Sequence, residues 1–133
     1  MESKHTVEKI GGTSMSQFGD VMQNVIIGRR QGEELYNRIF VVSAYGGITD
    51  LLLTNKKTGE AGVYGQLAQG GDWRRALEQV RRRMIEYNHS FESIGLDVED
   101  ADRFINQRLD EIETCIGDLT RLDQPDWDMI LLT

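Results

Sequence analysis

The sequence is poor in residues that mark several classes of protein. It has one cysteine and one proline among 133 residues, so no internal disulfide can form. A lone cysteine suits a reducing compartment and favours a cytoplasmic protein, and the apolar helical neighbours of Cys115 predict that it is a small core residue. The two histidines, His5 and His89, have no partners at metal-ligand spacing. We therefore predict no metal site built from cysteine or histidine.

Long apolar runs and positive charge are also scarce. No stretch is long enough to span a bilayer, and the polar N-terminus lacks the apolar centre of a signal peptide. The formal net charge is −7, and an acidic chain repels phosphate backbones. These features predict neither a nucleic-acid nor a membrane partner. Basic residues cluster only in one arginine-rich segment, which we interpret as the solvated face of a helix: Arg74, Arg75, Arg81, Arg82 and Arg83.

One local pattern occurs twice: a strand that runs into a glycine pair and then into a helix. The first copy is VEKIGGTSM and the second is IFVVSAYGGITD. We predict strands at Thr6–Ile10 and Ile39–Ala44, the second buried on both faces because its apolar run is nearly continuous. Two strands separated by a helix are most simply parallel, which would bring Lys9 and Ser43 to one carboxyl edge. The pattern predicts an α/β fold.

The remaining elements follow from apolar periodicity and capping residues. Ser14 or Ser16 is expected to cap a first helix that ends near Gly28. A short helix is predicted at Ile48–Thr54, and an exposed glycine-rich loop at Lys56–Gly71. Two longer helices, capped by Asp72 and by Asp97 or Asp100, should pair as an antiparallel hairpin. Their apolar stripes are Trp73, Leu77, Val80, Met84, Tyr87 and Phe91, then Ile105, Leu109, Ile112, Ile116 and Leu119. Pro125 suits the first turn of another helix.

The glycine pairs have a chemical interpretation when they are taken together. Glycine leaves backbone N–H groups approachable by a phosphate, and Lys9 adds a mobile positive charge. Hydroxyl groups stand nearby on Thr13, Ser14, Ser43 and Thr49. Neither the P-loop motif nor the dinucleotide-binding motif is present. Taken singly, a glycine pair is more often a plain turn, Lys9 a solvated strand end, and Thr49 a helix cap. Only the presence of both strand–glycine–helix segments in one chain points to a phosphate-binding site.

The two segments resemble the signatures of aspartate kinases. VEKIGGTSM is similar to their opening V-x-K-F-G-G-T-S, with Ile10 where most members have Phe. VVSAYGGITDLLL is similar to their second segment, V-V-S-A-x-x-G-I-T-x-x-L. The downstream KKTGEAGVYGQLAQGGDW resembles the insert of aspartate kinases from ectoine gene clusters. The resemblance implies part of the three-layer αβα amino-acid kinase fold.

The resemblance also implies a reaction and a set of site residues. An aspartate kinase passes the γ-phosphoryl group of MgATP to the side-chain carboxylate of L-aspartate. Lys9, Ile10, Gly11 and Gly12 would hold the ATP phosphates, with Lys9 also catalytic. The substrate aspartate would be bound by four residues of the second segment: Ser43, Ala44, Gly47 and Thr49. ATP and Mg²⁺ are the implied cofactors, and no protein ligand of the metal is assigned.

The resemblance covers the chain but not the length of the family. Residues 1–133 are expected to be an N-terminal fragment that lacks the ACT regulatory domains and is inactive by itself. An unpaired sheet edge should favour self-association, or assembly as a homo-oligomer. Two alternatives stay open. One is another amino-acid kinase acting on acetylglutamate, glutamate, carbamate or UMP, and the other is a non-catalytic, truncated module that binds a partner.

Overall fold

The chain divides into two units, Met1–Gly47 and Ile48–Thr133, and the computed structural model describes residues 5–122 and 126–133. The first unit contains β1 (Thr6–Ile10), α1 (Gly12–Met15), α2 (Phe18–Val21), a π-helix (Met22–Ile27), a 3-10 helix (Gly32–Leu35) and β2 (Arg38–Val42). The second contains α3 (Ile48–Leu52), α4 (Val63–Ala68), α5 (Trp73–Ser90), a 3-10 helix (Glu92–Ile94), α6 (Val98–Leu119) and α7 (Trp127–Leu132). Within the described ranges no helix is both long enough and apolar enough to cross a membrane.

The sheet of the first unit consists of two parallel strands. Lys9 pairs with Val41, and Ile10 pairs with Val42. The parallel arrangement predicted from the repeated pattern is therefore confirmed, and so is the α/β class. β1 has the predicted bounds, whereas β2 begins at Arg38 and ends at Val42 instead of Ala44. The three-layer amino-acid kinase arrangement remains a prediction.

One face of this sheet is open to solvent. Side chains alternate between faces along a strand, so Val7 lies on the same face as Ile39 and Val41. Val7 is 68% exposed, and Ile39 and Val41 are each 51% exposed. The prediction that β2 is buried on both faces is therefore wrong. A run of apolar residues indicates only that a strand could be buried. In this unit, no described element covers that face of the sheet.

The opposite face is tied to the helical connection through Arg38. Its side chain is only 3% exposed and forms an ion pair with Glu8 on β1. The guanidinium also donates to the backbone carbonyls of Val25 and Ile26 in the π-helix. Gly28, which has a φ of 52°, follows the last residue of the π-helix. One buried cation thus connects both strands to the crossover segment.

The predicted cap of the first helix is wrong. The helical segment is divided into α1, α2 and the π-helix, and the residues that precede α1 and α2 are Gly11 and Gln17. Neither makes a side-chain capping bond, and Ser16 instead follows the last residue of α1. Ser14, the other predicted cap, lies within α1.

The second unit is built around the predicted helical hairpin. Asp72 caps α5 by accepting from the Arg75 N–H, and Asp97 caps α6 by accepting from the Asp100 N–H. The helices are antiparallel, because partners on α6 move backwards as α5 advances. These partners are Arg74–Glu113, Arg81–Asp110 and Asn88–Asp102. The core between and around them contains Leu77, Val80, Leu109 and Ile116.

Three other expectations meet different outcomes in the second unit. Lys56–Gly71 is not a simple exposed loop, because α4 forms within it and buries Val63 and Leu67, which lie four residues apart on one helical face. Cys115 is exposed rather than part of the core, since it lies on α6 beside the buried stripe instead of on it. Pro125 lies outside the described residues, and the helix that follows it is capped by Asp126.

Candidate functional site

The candidate site lies where both strands of the first unit end. We call residues 11–16, which include α1, the first glycine loop, and residues 43–47 the second glycine loop. The Ser43 N–H donates to the Ile10 carbonyl over 3.0 Å, so strand pairing continues to the start of the second loop. Because Lys9 pairs with Val41, Lys9 and Ser43 lie at the same carboxyl edge of the sheet. That placement confirms the geometry predicted from the sequence.

The two loops approach each other at Gly12 and Gly46. A Cβ atom added to Gly12 would lie 3.2 Å from the Ala44 carbonyl oxygen, so the first loop contacts the second through bare backbone. A Cβ atom at Gly46 would lie 2.7 Å from the Ser16 Oγ, closer than carbon and oxygen can sit without bonding. Glycine at these two positions therefore permits the close contact.

The Ser16 hydroxyl bridges this contact. The Ser16 Oγ accepts a hydrogen bond from the Gly46 N–H over 2.7 Å and donates to the Gly12 carbonyl over 3.1 Å. Both bonds are partly buried. Sequence reasoning missed this role, because it interpreted Ser16 as a cap and Gly46 as a strand breaker. The partners lie 30 positions apart, and no local pattern signals such a pair.

Gly11 differs from the other glycines of the site. An added Cβ there would meet no atom within 4 Å, and its φ of −75° suits any residue. Lys9 is exposed, and so are Thr13 and Ser14 on the first loop. The space beside Gly11 is therefore open, and the exposed Lys9 lies two residues earlier in the chain. The fold itself places no demand for glycine at this position.

The other predicted site residues of the first unit differ in burial and in backbone conformation. Ile10 is 5% exposed, so its side chain packs inside while its backbone reaches the site. Ala44 is exposed and turns its carbonyl towards Gly12. Gly47 has a φ of +82°, a conformation that side chains disfavour. Burial also raises the pKa of Tyr45 above its usual 10.0.

Thr49 belongs to the second unit, in the first turn of α3. It is exposed and borders a largely apolar groove of about 250 Å³. Other parts of the groove wall are contributed by Leu52, Val63, Leu67, Ile112, Ile116 and Ile130. The predicted acceptor-binding hydroxyl is thus accessible. Within residues 5–122 and 126–133, no three His, Cys, Asp or Glu side chains lie together as a metal-ligand set.

The sequence is similar to that of a curated kinase. It is 54% identical over 121 residues to aspartate kinase Ask_Ect of Stutzerimonas stutzeri (strain A1501). The aligned region is 89% of this chain but 25% of that relative, so the chain spans about a quarter of the relative's length. No protein-family model and no solved structure matches the chain.

Proposed function

Because this chain is part of an ectoine-type aspartate kinase, we propose that the whole enzyme transfers the γ-phosphoryl group of ATP to the side-chain carboxylate of L-aspartate. The product is 4-phospho-L-aspartate. The observation that carries this proposal is the 54% identity, which extends over 89% of this chain. The lone cysteine suits a cytoplasmic enzyme.

ATP phosphates are assigned to the end of β1. Lys9 supplies an exposed positive charge, and Gly11 leaves open space beside the backbone. Gly12 completes the loop by its close contact with the second loop, and Ile10 contributes its backbone while its side chain packs inside. The γ-phosphoryl group gains negative charge on its peripheral oxygens during transfer, and a lysine stabilises that charge.

The acceptor is assigned to the second segment. Ser43, Ala44 and Gly47 belong to the second glycine loop, and Thr49 follows it on α3. Near neutral pH the side-chain carboxylate of aspartate is already ionised, so it can attack phosphorus without a general base. The work of these residues is therefore to bind and orient the carboxylate, and hydroxyl and backbone groups suit that task.

Magnesium accompanies ATP in this reaction and supplies charge neutralisation on the phosphates. The described residues offer no cluster of carboxylates that fits it. We therefore assign no magnesium ligand in this chain. The chain alone is expected to be inactive, since it spans about a quarter of the related kinase.

The test uses the whole enzyme that contains this chain, with ATP and aspartate varied separately. Lys9→Ala should lower kcat by orders of magnitude, because the lysine stabilises the transition state more than bound ATP. Thr49→Ala should mainly raise the KM for aspartate, since a substrate-binding hydroxyl acts on ground and transition states alike. Lys56→Ala, on the exposed segment after α3, is the matched control. A near-normal kcat for Lys9→Ala would refute the assignment of Lys9.

Gly11→Ala separates binding from folding in the same enzyme. A methyl group at residue 11 meets no protein atom, so the fold should tolerate it. It would occupy the space assigned to phosphate and should raise the KM for MgATP.

Replacing aspartate by acetylglutamate, glutamate, carbamate or UMP tests the acceptor. Preferential phosphorylation of one of these would place the enzyme in another branch of the amino-acid kinases.

A further inference from the structure

We propose that Ser16 is a positioning residue of the kinase reaction, which holds the second glycine loop at a fixed distance from the first. This inference rests on the proposed function, because that function assigns ATP phosphates to one loop and the acceptor to the other. Ser16 touches neither substrate in this assignment. It acts through the backbone of Gly12 and Gly46.

The hydrogen bonds of Ser16 use both capacities of its hydroxyl. Its one proton goes to the Gly12 carbonyl over 3.1 Å, and an oxygen lone pair receives the Gly46 N–H over 2.7 Å. The first bond stays within the first loop and fixes the direction of the hydroxyl. The second bond crosses to the other loop. The hydroxyl is thereby pre-oriented by one loop to hold the other.

The Ser16 hydroxyl fits between the loops only because Gly46 has no side chain. A Cβ at Gly46 would lie 2.7 Å from the Ser16 Oγ, so the bridging hydroxyl and a side chain at residue 46 cannot occupy the same space. The next contact of that Cβ, with the Gly12 carbonyl oxygen at 3.3 Å, is also close but would require a shift of only a few tenths of an ångström. The clash at residue 46 therefore arises chiefly from the serine hydroxyl. Serine at 16 and glycine at 46 form a matched pair.

The pair matters for transfer because the two loops carry different reactants. Gly11 and Gly12 belong to the loop assigned to the ATP phosphates, and Ser43 and Gly47 belong to the loop assigned to aspartate. Phosphoryl transfer needs the attacking and leaving oxygens in line. Loss of the bridge should let the loops shift, and a misplacement of about 1 Å can slow a reaction by roughly a hundredfold. Each loop could still bind its own reactant.

The experiment compares variants of the whole enzyme by steady-state kinetics. In Ser16→Ala we expect kcat to fall by roughly 10- to 100-fold, with a smaller change in either KM. Thr114→Ala is the matched control, because the Thr114 hydroxyl also donates to a carbonyl four residues earlier but has no second loop to hold. This control should keep the kcat of the unmodified enzyme.

A double substitution tests the matched pair. Gly46→Ala alone should displace the Ser16 hydroxyl and lower kcat. In the Ser16→Ala background the same Gly46→Ala change should have a much smaller effect, because the clashing oxygen is gone. Independent, multiplicative losses in the double variant would overturn the matched pair.

Hydrogen exchange separates the bridge from the chemistry. Mass spectrometry of a peptide covering residues 43–47 should show faster amide exchange in Ser16→Ala than in the unmodified enzyme. Faster exchange with an unchanged kcat would overturn the positioning role, and unchanged exchange would overturn the bridge itself. If the unmodified enzyme fails to phosphorylate aspartate, the proposed function fails, and the exchange result then reports on the bridge alone.

Discussion

The glycines of the two loops serve different physical purposes. Gly12 and Gly46 allow close approach of backbones, Gly47 adopts a left-handed conformation, and Gly11 borders open space. The sequence displays them as two similar pairs. Their separate roles depend on the distance between the loops, which only the folded chain defines. Substitution by alanine should therefore have a different effect at each position.

Gly47→Ala should lower the free energy of unfolding by about 1–2 kcal/mol, because a Cβ is strained at a φ of +82°. Gly11→Ala should leave that free energy unchanged or slightly raise it, since alanine narrows the unfolded ensemble without a clash. Urea unfolding of the chain, followed by circular dichroism, measures both. Equal losses for the two variants would show that the described loop conformations are wrong.

The ion pair between Glu8 and Arg38 makes stability depend on pH. Hydrogen bonds from Arg38 hold the pKa of Glu8 below its ordinary 4.5. When folding lowers the pKa of a carboxylate, its full contribution to stability is present at pH values above the pKa of the unfolded state. This contribution is lost as the pH falls through the pKa of the folded state. We expect the unfolding free energy to decline below about pH 4.5. In Glu8→Gln this decline should be shallower, and parallel pH curves would contradict the assignment.

A feature of the site can be predicted from the sequence when it depends on residues that are close together in the chain. Lys9 and Ser43 were correctly placed at one edge, because strand type and a short crossover constrain the topology. The sequence predicts that Ser16 is a helix cap, but its partner across the site lies 30 positions away. Hydrogen-bonding side chains have many possible partners, and the sequence alone does not select one. The residue roles carried by resemblance remain predictions.

At the scale of elements, the sequence predicts helices well where an apolar stripe coincides with a cap. Asp72 and Asp97 begin α5 and α6 as expected. The segment between residues 56 and 71 is predicted as a loop because of its many glycines, and this prediction is wrong. Burial of Val63 and Leu67 stabilises α4 in spite of Gly65 within it. Tertiary packing decided the outcome there.

The hairpin core offers a paired test of burial. Leu77 is 2% exposed, and Leu77→Ala should lower the free energy of unfolding by about 2–5 kcal/mol. Ile112 is only half-buried beside the apolar groove, so Ile112→Ala should have a smaller effect. Urea titration of both variants gives the comparison. An Ile112→Ala loss as large as that of Leu77→Ala would mean that the groove is filled in solution.

At the scale of the whole molecule, one face of the sheet presents uncovered apolar surface. Val7, Ile39 and Val41 share that face, and each is at least half exposed. Contiguous apolar surface of this kind drives association. We expect the isolated chain to self-associate through this face. In the whole enzyme, we expect the parts of the protein outside this chain to cover it.

Sedimentation velocity of the chain at several concentrations tests this expectation. Combined Val7→Thr, Ile39→Thr and Val41→Thr substitutions keep β-branched side chains and should reduce the associated fraction. Leu132→Thr is the control, because Leu132 is 83% exposed but lies on α7. Association that survives the triple substitution and disappears in the control would assign the contact to α7 instead.

The contact between Ser16 and Gly46 also has a consequence for evolutionary change. The Ser16 hydroxyl excludes a side chain at residue 46, so residue 46 is not free to vary while the serine is present. Among aspartate kinases we expect the two positions to change together: a serine at 16 should accompany glycine at 46, and a side chain at 46 should accompany loss of the hydroxyl. Contacting residues leave this kind of covariation. Two loops separated by 30 positions would thus share one substitution history.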